Sequence, residues 1–522
     1  PRVEGDLVFN AGSIDLNITS AVSDAPKWDG AINGNWDTTT TNWVLITGGT
    51  PTTYVDANLP YYPGEPALFD DTLTGTPNVV LNATVTPQSV TFSNSSATYS
   101  VTGTGGIAGT GGISKSGTGS VTLDTSNTFT GNVTANSGVL VLNGVNAYGS
   151  TTLTGNAIVR AGQNGALGTG IISVAGLQTD SCRIELTGGI TVTNSLSLRA
   201  RNYTVSYPAH ILNVSGVNTL NPAAEIEMAS GGNAISLQSD SGRLILTKGV
   251  FTLQSASRYL ALLGAGDGEV QGSIGNNMGL AKEGAGTWTL TGSSSLPGPT
   301  FVSGGALVVN GIFTNAANTV TVLGGTLAGG GTIAGPVTLQ AGGTLSPGNS
   351  VGTLTLSSNL TLNAGSTNIF EVNGSTLAKD VVAVGGNVTY GGVLKIVPTG
   401  SFSDGQSFIL FSGAGTTNAS NFASIEGTPG SGKVFNFTNG VLSVVSTSVT
   451  PVQLTNSLSG STLTFTWPAG QGWTLQSETN SLSVGLTTNS INWATVAGGI
   501  DGSNSISINP ANPTVFYRLY HP

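Results

Sequence analysis

One block of sequence occurs twice in this chain without a gap. Residues 112–144 read GISKSGTGSVTLDTSNTFTGNVTANSGVLVLNG, and residues 279–311 read GLAKEGAGTWTLTGSSSLPGPTFVSGGALVVNG. The copies agree at Lys115/Lys282, Gly117/Gly284, Gly119/Gly286, Leu123/Leu290, Gly131/Gly298, Leu140/Leu307 and Asn143/Asn310. Each runs from a Gly-rich turn to a short alternating strand, a polar turn, a second short strand, a Gly and a short apolar strand. A strand–turn unit this small cannot bury its apolar face alone, and stacking repeats on one another solves that problem. The spacing therefore predicts an all-β solenoid.

Composition narrows the reading. The chain holds 77 Gly and only 8% charged residues, yet 38% are hydrophobic. Val, Leu and Ile recur in period-two runs such as 139–142, 244–246 and 353–356, so enough apolar surface is present to bury a long core, and disorder is not expected. Gly and Asn supply the left-handed turn conformations that several sharp corners per coil require. A formal net charge of −10 lacks the basic stripe that nucleic-acid binding needs. No apolar run reaches the roughly 20 residues of a membrane-spanning helix, and no final series of long amphipathic strands suggests a membrane barrel. The chain is expected to be soluble, and its start at Pro1 is expected of a processed or trimmed chain. Cys182 is the single cysteine and reads as a buried, inert thiol.

Three regions are expected. Residues 1–76 combine an alternating segment, GDLVFNAGSIDLNIT at 5–19, with an aromatic cap. Residues 77–445 carry a nearly continuous strand–turn rhythm and form the parallel β-helix. Residues 446–522, after a Ser/Thr/Val stretch ending at Pro451, hold Trp467, Trp473 and Trp493 and are expected to form a small C-terminal β-sandwich with Trp in its core. In the middle section, Arg183 and Glu185, Arg199 and Arg201, and Glu225 and Glu227 each flank one inward residue. With Arg243, Lys248 and Arg258 they recur at about one coil's spacing, so outward acid–base pairs on adjacent coils are predicted, each worth at most ~1 kcal/mol.

The repeats and their flanks resemble the autotransporter-associated β-strand repeat proteins. The resemblance rests on 115–144 and 282–311, on KWDGAINGNWDTTTTNW at 27–43 followed by ALFDDT at 67–72, on GGTLSPGNSVGTLTL at 342–356, and on GGVLKIVPTGSFSDGQSFILFSGAG at 391–415. It implies a right-handed parallel β-helix that is secreted, extracellular or displayed on a cell surface. The C-terminal WTLQSETN, INWATVAGG and VFYRLYHP resemble a terminal domain of secreted Verrucomicrobia and Planctomycetes proteins.

Candidate chemistry is sparse. Glu225 and Glu227, with side chains about 6–7 Å apart by strand geometry and Arg199, Arg201 and Arg243 expected on neighbouring coils, are within range of an acid/base pair. Solvated structural charge is the plainer reading, since an arginine neighbour keeps a carboxylate ionised. His210 and His521 lack the company a transition-metal site needs. Asp267 with Glu269, or Asp70 with Asp71, could hold Ca²⁺ or simply shape turns. No metal or other cofactor is expected. Trp28, Trp36 and Trp43 with Tyr61 and Tyr62 are the candidate binding surface: they could stack on sugars, contact another subunit, or cap the end of the helix.

The favoured expectation is a non-enzymatic extracellular structural protein that self-associates head-to-tail into a surface fibre or sheath, with 5–19 pairing to a neighbour by strand addition. The alternatives are a monomeric adhesin binding cell-surface or matrix polysaccharide, and a polysaccharide-cleaving β-helix enzyme.

Overall fold

A computed structural model describes residues 2–22, 24–57, 63–202, 209–253, 258–275, 277–413, 415, 420–447, 451–470, 472–487, 492–500, 502–512 and 514–521. The regular elements among them are all β-strands. No helix among the described residues is long and apolar enough to cross a membrane. The chain divides into two compact units, Pro1–Pro429 with Phe435–Val444, and Gly430–Val434 with Val445–Pro522.

The first unit is a parallel β-solenoid. One 12-stranded sheet climbs from Pro66–Phe69 through Ile113–Lys115 and Ile172–Val174 to Val250–Phe251, and a 15-stranded sheet climbs beside it from Asn78–Val80 to Val388–Thr389. Early coils are short: Val141 pairs with Arg160, nineteen residues on. Later coils are longer, with Glu185 pairing to Leu212 twenty-seven residues on. The added length makes a third, 11-stranded sheet that begins at Thr191–Val192. A six-stranded sheet from Ser293–Ser294 to Phe411–Ser412 appears once the first sheet has ended.

In-register stacking follows from the period-two pattern. Tyr99, Val121, Leu140, Val159, Ile184, Ile211, Leu237 and Leu262 pair rung upon rung, and all are buried. Each such side chain removed from water stabilises the fold by about 1.5–3 kcal/mol before entropy is counted. A register slip of one residue would turn this whole column outward, which is why the pattern specifies the pairing.

The repeated block forms the same corner twice, on different pairs of sheets. In the first copy Ile113–Lys115 lies in the 12-stranded sheet and Ser120–Leu123 in the 15-stranded one. In the second, Met278–Lys282 lies in the 15-stranded sheet and Thr287–Leu290 in the 11-stranded one. Gly117 and Gly284 turn this corner with φ of 72° and 71°. A Cβ at Gly117 would meet Asn94 O at 2.3 Å, so the rung below leaves no space for a side chain.

Both ends of the solenoid are closed by aromatic side chains. At the N-terminal end, β3 (Pro26–Trp28), β4 (Trp43–Leu45) and β5 (Pro51–Thr52) turn antiparallel, and β3 joins the stack beside β6 (Pro66–Phe69). Trp28, Trp36, Trp43, Tyr54 and Phe69 pack with ring centroids 5.2–5.9 Å apart, and Phe69 stacks on Phe92 at 4.7 Å. At the other end Tyr390, Phe411, Phe422 and Phe437 pack at 5.0–6.0 Å, and Phe402 packs against Phe408 and Phe435. Before the first coil, β1 (Arg2–Asn10) and β2 (Ser13–Val22) form a two-stranded antiparallel hairpin that joins no other sheet among the described residues.

The second unit holds two three-stranded antiparallel sheets, Thr455–Ser459, Thr462–Thr466 and Ser503–Ser507 in one, Ala494–Thr495, Thr474–Thr479 and Val515–Tyr520 in the other. Phe465, Trp467 and Leu475 are its buried centre, with Trp473 and Tyr517 packed against them. Trp493 is buried under the guanidinium of Arg518, 4.2 Å from the ring centroid.

The N-terminal cap gives the first prediction. Trp43→Ala removes a ring packed against Trp28, Trp36, Tyr54 and Phe69, and is expected to cost about 3–5 kcal/mol in denaturant unfolding. A loss below ~1 kcal/mol would mean that the cluster does not seal the first coil.

Candidate functional site

Trp28, Trp36 and Trp43 are 0–1% exposed. No indole face is open to a sugar or a neighbouring subunit, and of the three readings of this cluster the burial favours the cap. Tyr61 and Tyr62 lie outside the described residues. The polar residues between the tryptophans hold the loop. The buried Asn42 amide accepts the backbone N–H groups of Ile32 and Asn33 and donates to Asn33 Oδ1 and Asn35 O. Asp29 accepts from the backbone N–H and hydroxyl of Thr74, and Trp28 Nε1 donates to Thr76 O at 2.8 Å.

The possible Ca²⁺ carboxylates are engaged in the same way. Asp71 accepts the backbone N–H groups of Ala97, Ser95 and Ser96, which hold its carboxyl down at about 2. Asp70 accepts from Thr72, Asp267 from the Thr287 backbone, and Glu269 pairs with Arg243. No cluster of three or more His, Cys, Asp or Glu side chains is placed for a metal among the described residues.

The outward charges follow the expected pairing in part. Glu185 joins Arg160 of the coil below and Arg183 of its own strand, and Arg243 joins Glu269 of the next coil. The arginines expected around Glu225 and Glu227 do not assemble there. Glu225 accepts the Ser273 hydroxyl at 2.7 Å, while Glu227 lies in register between Ser197 and Phe251. Arg201 turns inward and is 2% exposed; its guanidinium donates to Cys182 O and lies 3.2 Å from Cys182 Sγ. Cys182 is itself buried, and burial pushes its thiol upward despite the nearby Arg201 charge.

Arg199 stays on the outer face and lines a groove of about 360 Å³ with Ser173, Val174, Ala175, Ser197, Ala229 and Ser230. Its Nε is out of contact with solvent and has no hydrogen-bond partner. A Cβ at Gly231 would come within 3.1 Å of Arg199 Cγ, so the glycine leaves room for the arginine's stem.

The sequence reading missed the importance of Lys115 and Lys282. Both replace an apolar rung of an inward column, Lys115 between Phe92 and Ala135, Lys282 between Leu262 and Val302. Each ammonium donates to the carbonyls one and two residues ahead, Ser116 and Gly117 in one copy, Glu283 and Gly284 in the other. Lys282 also donates to Gly304 O of the following coil at 3.0 Å. Burial lowers both lysines to about 8. The signal was available: an identical cation at one repeat position of a chain with few charges.

His210 is equally internal. Its Nδ1 accepts the Ser236 N–H at 3.1 Å, so Nε2 carries the proton and donates to Arg199 O at 2.9 Å. Burial, with the Arg201 charge adding to it, lowers this imidazole to about 3 against the pull of the Arg199 carbonyl. These internal groups shape corners and columns.

Residues 113–142 and 280–309 each match the passenger-associated-transport-repeat family. The two matches cover the two corners with buried lysines. No curated protein matches the chain.

Acid titration tests the placement of His210. The unfolded chain binds a proton near pH 6.5 and the folded one only near 3, so stability contributed by the neutral ring is present above pH 6.5 and is lost as pH falls toward 3. Asp380, raised to about 6 by burial, acts in the opposite sense between pH 3.8 and 6. Thermal melts from pH 7 to 4 are therefore expected to fall less steeply for His210→Gln than for the unmodified chain. Parallel slopes would place the imidazole in water.

Proposed function

We propose that this chain is a secreted, non-enzymatic passenger-type structural protein, displayed at or shed from a cell surface, that self-associates through its N-terminal hairpin. The passenger repeat and the parallel solenoid support the extracellular setting. The observation that carries the self-association is the hairpin β1–β2. Leu7, Phe9 and Ile14 share one of its faces, with Phe9 opposite Ile14, and they are 61%, 74% and 64% exposed. Asp6, Asp15 and Asn17 lie on the opposite face. A lone two-stranded hairpin is at best marginally stable in water, and its free edges and apolar face gain most from pairing with another β-surface.

A second copy is the proposed occupant, and head-to-tail growth into a fibre or sheath is the corresponding assembly. With packed rings at both ends of the stack, strand addition through the exposed hairpin is the route of association.

Sedimentation velocity over a hundredfold range of concentration tests this. The unmodified chain is expected to show concentration-dependent association, and Phe9→Asp/Ile14→Asp to sediment as a monomer with an unchanged melting temperature. A monomer at every concentration, or association that survives both substitutions, would overturn it.

A further inference from the structure

We propose that the groove around Arg199 is a binding site for the oxyanion of an acidic polysaccharide, a carboxylate or sulfate carried on a sugar ring. The inference is independent of self-association through the hairpin.

The first observation is a contrast among arginines on the outer strand faces. Arg160 and Arg183 share Glu185, and Arg243 has Glu269. Among the described residues Arg199 makes no side-chain ion pair or hydrogen bond, and its Nε has no acceptor. A guanidinium without a protein acceptor suits a planar oxyanion, which takes two parallel hydrogen bonds from its fork.

The second observation is the shape around it. Ala229, in register with Arg199, and Ala175 are small, so the volume that a protein carboxylate would occupy is open as a groove of about 360 Å³. That is within the size range of small-ligand clefts. The hydroxyls of Ser173, Ser197 and Ser230 line it. Ser173 and Ser197 are consecutive rungs, and Glu227 is the next rung after Ser197. One cation beside three hydroxyls suits a ligand that carries one negative group together with hydroxyls of its own. An acidic sugar has that combination.

The net charge of −10 does not oppose this strongly. At physiological ionic strength charges beyond about 8 Å are largely screened, so the groove's own charges decide binding.

Calorimetric titration of the full chain with polygalacturonate oligomers, sulfated dextran oligomers and neutral dextran oligomers tests the proposal. Carboxylated or sulfated oligomers are expected to bind and neutral ones not, and the comparison between the first two identifies which oxyanion fits. Arg199→Gln is expected to weaken binding at least tenfold. Arg243→Gln, which removes a cation of the same kind already paired with Glu269, is expected to leave binding within twofold. Both variants should retain the parent melting temperature. No binding of either acidic oligomer, equal losses in the two variants, or equal binding of neutral dextran would each overturn the proposal.

Discussion

The structure depends on register. Every coil places its inward residue over the inward residue of the coil below, and the apolar columns exist only while that pairing holds. The polar groups left inside the corners are compatible with it because they too are stacked. Asn127 donates to Asn146 Oδ1 at 2.8 Å, and Asn146 donates to Ala166 O at 2.7 Å on the coil above. Beside them Phe129 stacks on Tyr148, with ring planes 14° apart. A buried amide that passes its hydrogen bond to the next coil reinforces the alignment of the apolar column, since a slip would leave it unsatisfied.

The repeated block is best understood as a corner. Its two copies sit on different pairs of sheets and in coils of different length, yet the lysine, its two carbonyl partners and the left-handed glycine recur. A buried ammonium is costly when isolated, and here it is tolerated because it ties its own turn together and, at Lys282, reaches the turn above. The unit that the sequence repeats is therefore a way of turning the chain between any two faces of the solenoid, and coil length is set elsewhere, in the segments between corners.

The strand rhythm, the parallel stacking and the change of composition near residue 450 were legible because they follow from period-two patterning and turn residues. The tryptophans were harder. Trp28, Trp36 and Trp43 stand among Asp, Asn, Gly and Thr, a composition that serves equally for a sugar-binding surface and for tight loops folded over buried rings. The burial of the three rings and the loop hydrogen bonds around Asn42 and Asp29 separate the two. Arg201 was misjudged for a related reason. Strand alternation places it outward like Arg199, but the chain leaves the strand after Arg199, and the guanidinium turns in toward Cys182. Alternation predicts a side chain's direction only while the strand lasts.

The central claim is that one register-locked core is sealed at both ends. Hydrogen–deuterium exchange of the full chain, resolved along the sequence, tests it most directly. Sealed ends predict that amides of the first rungs, 66–69 and 89–92, and of the last, 388–396, exchange nearly as slowly as those of the middle coils. Protection that declines steadily from the middle toward both ends would contradict it, because that gradient belongs to a stack of coils fraying from open edges.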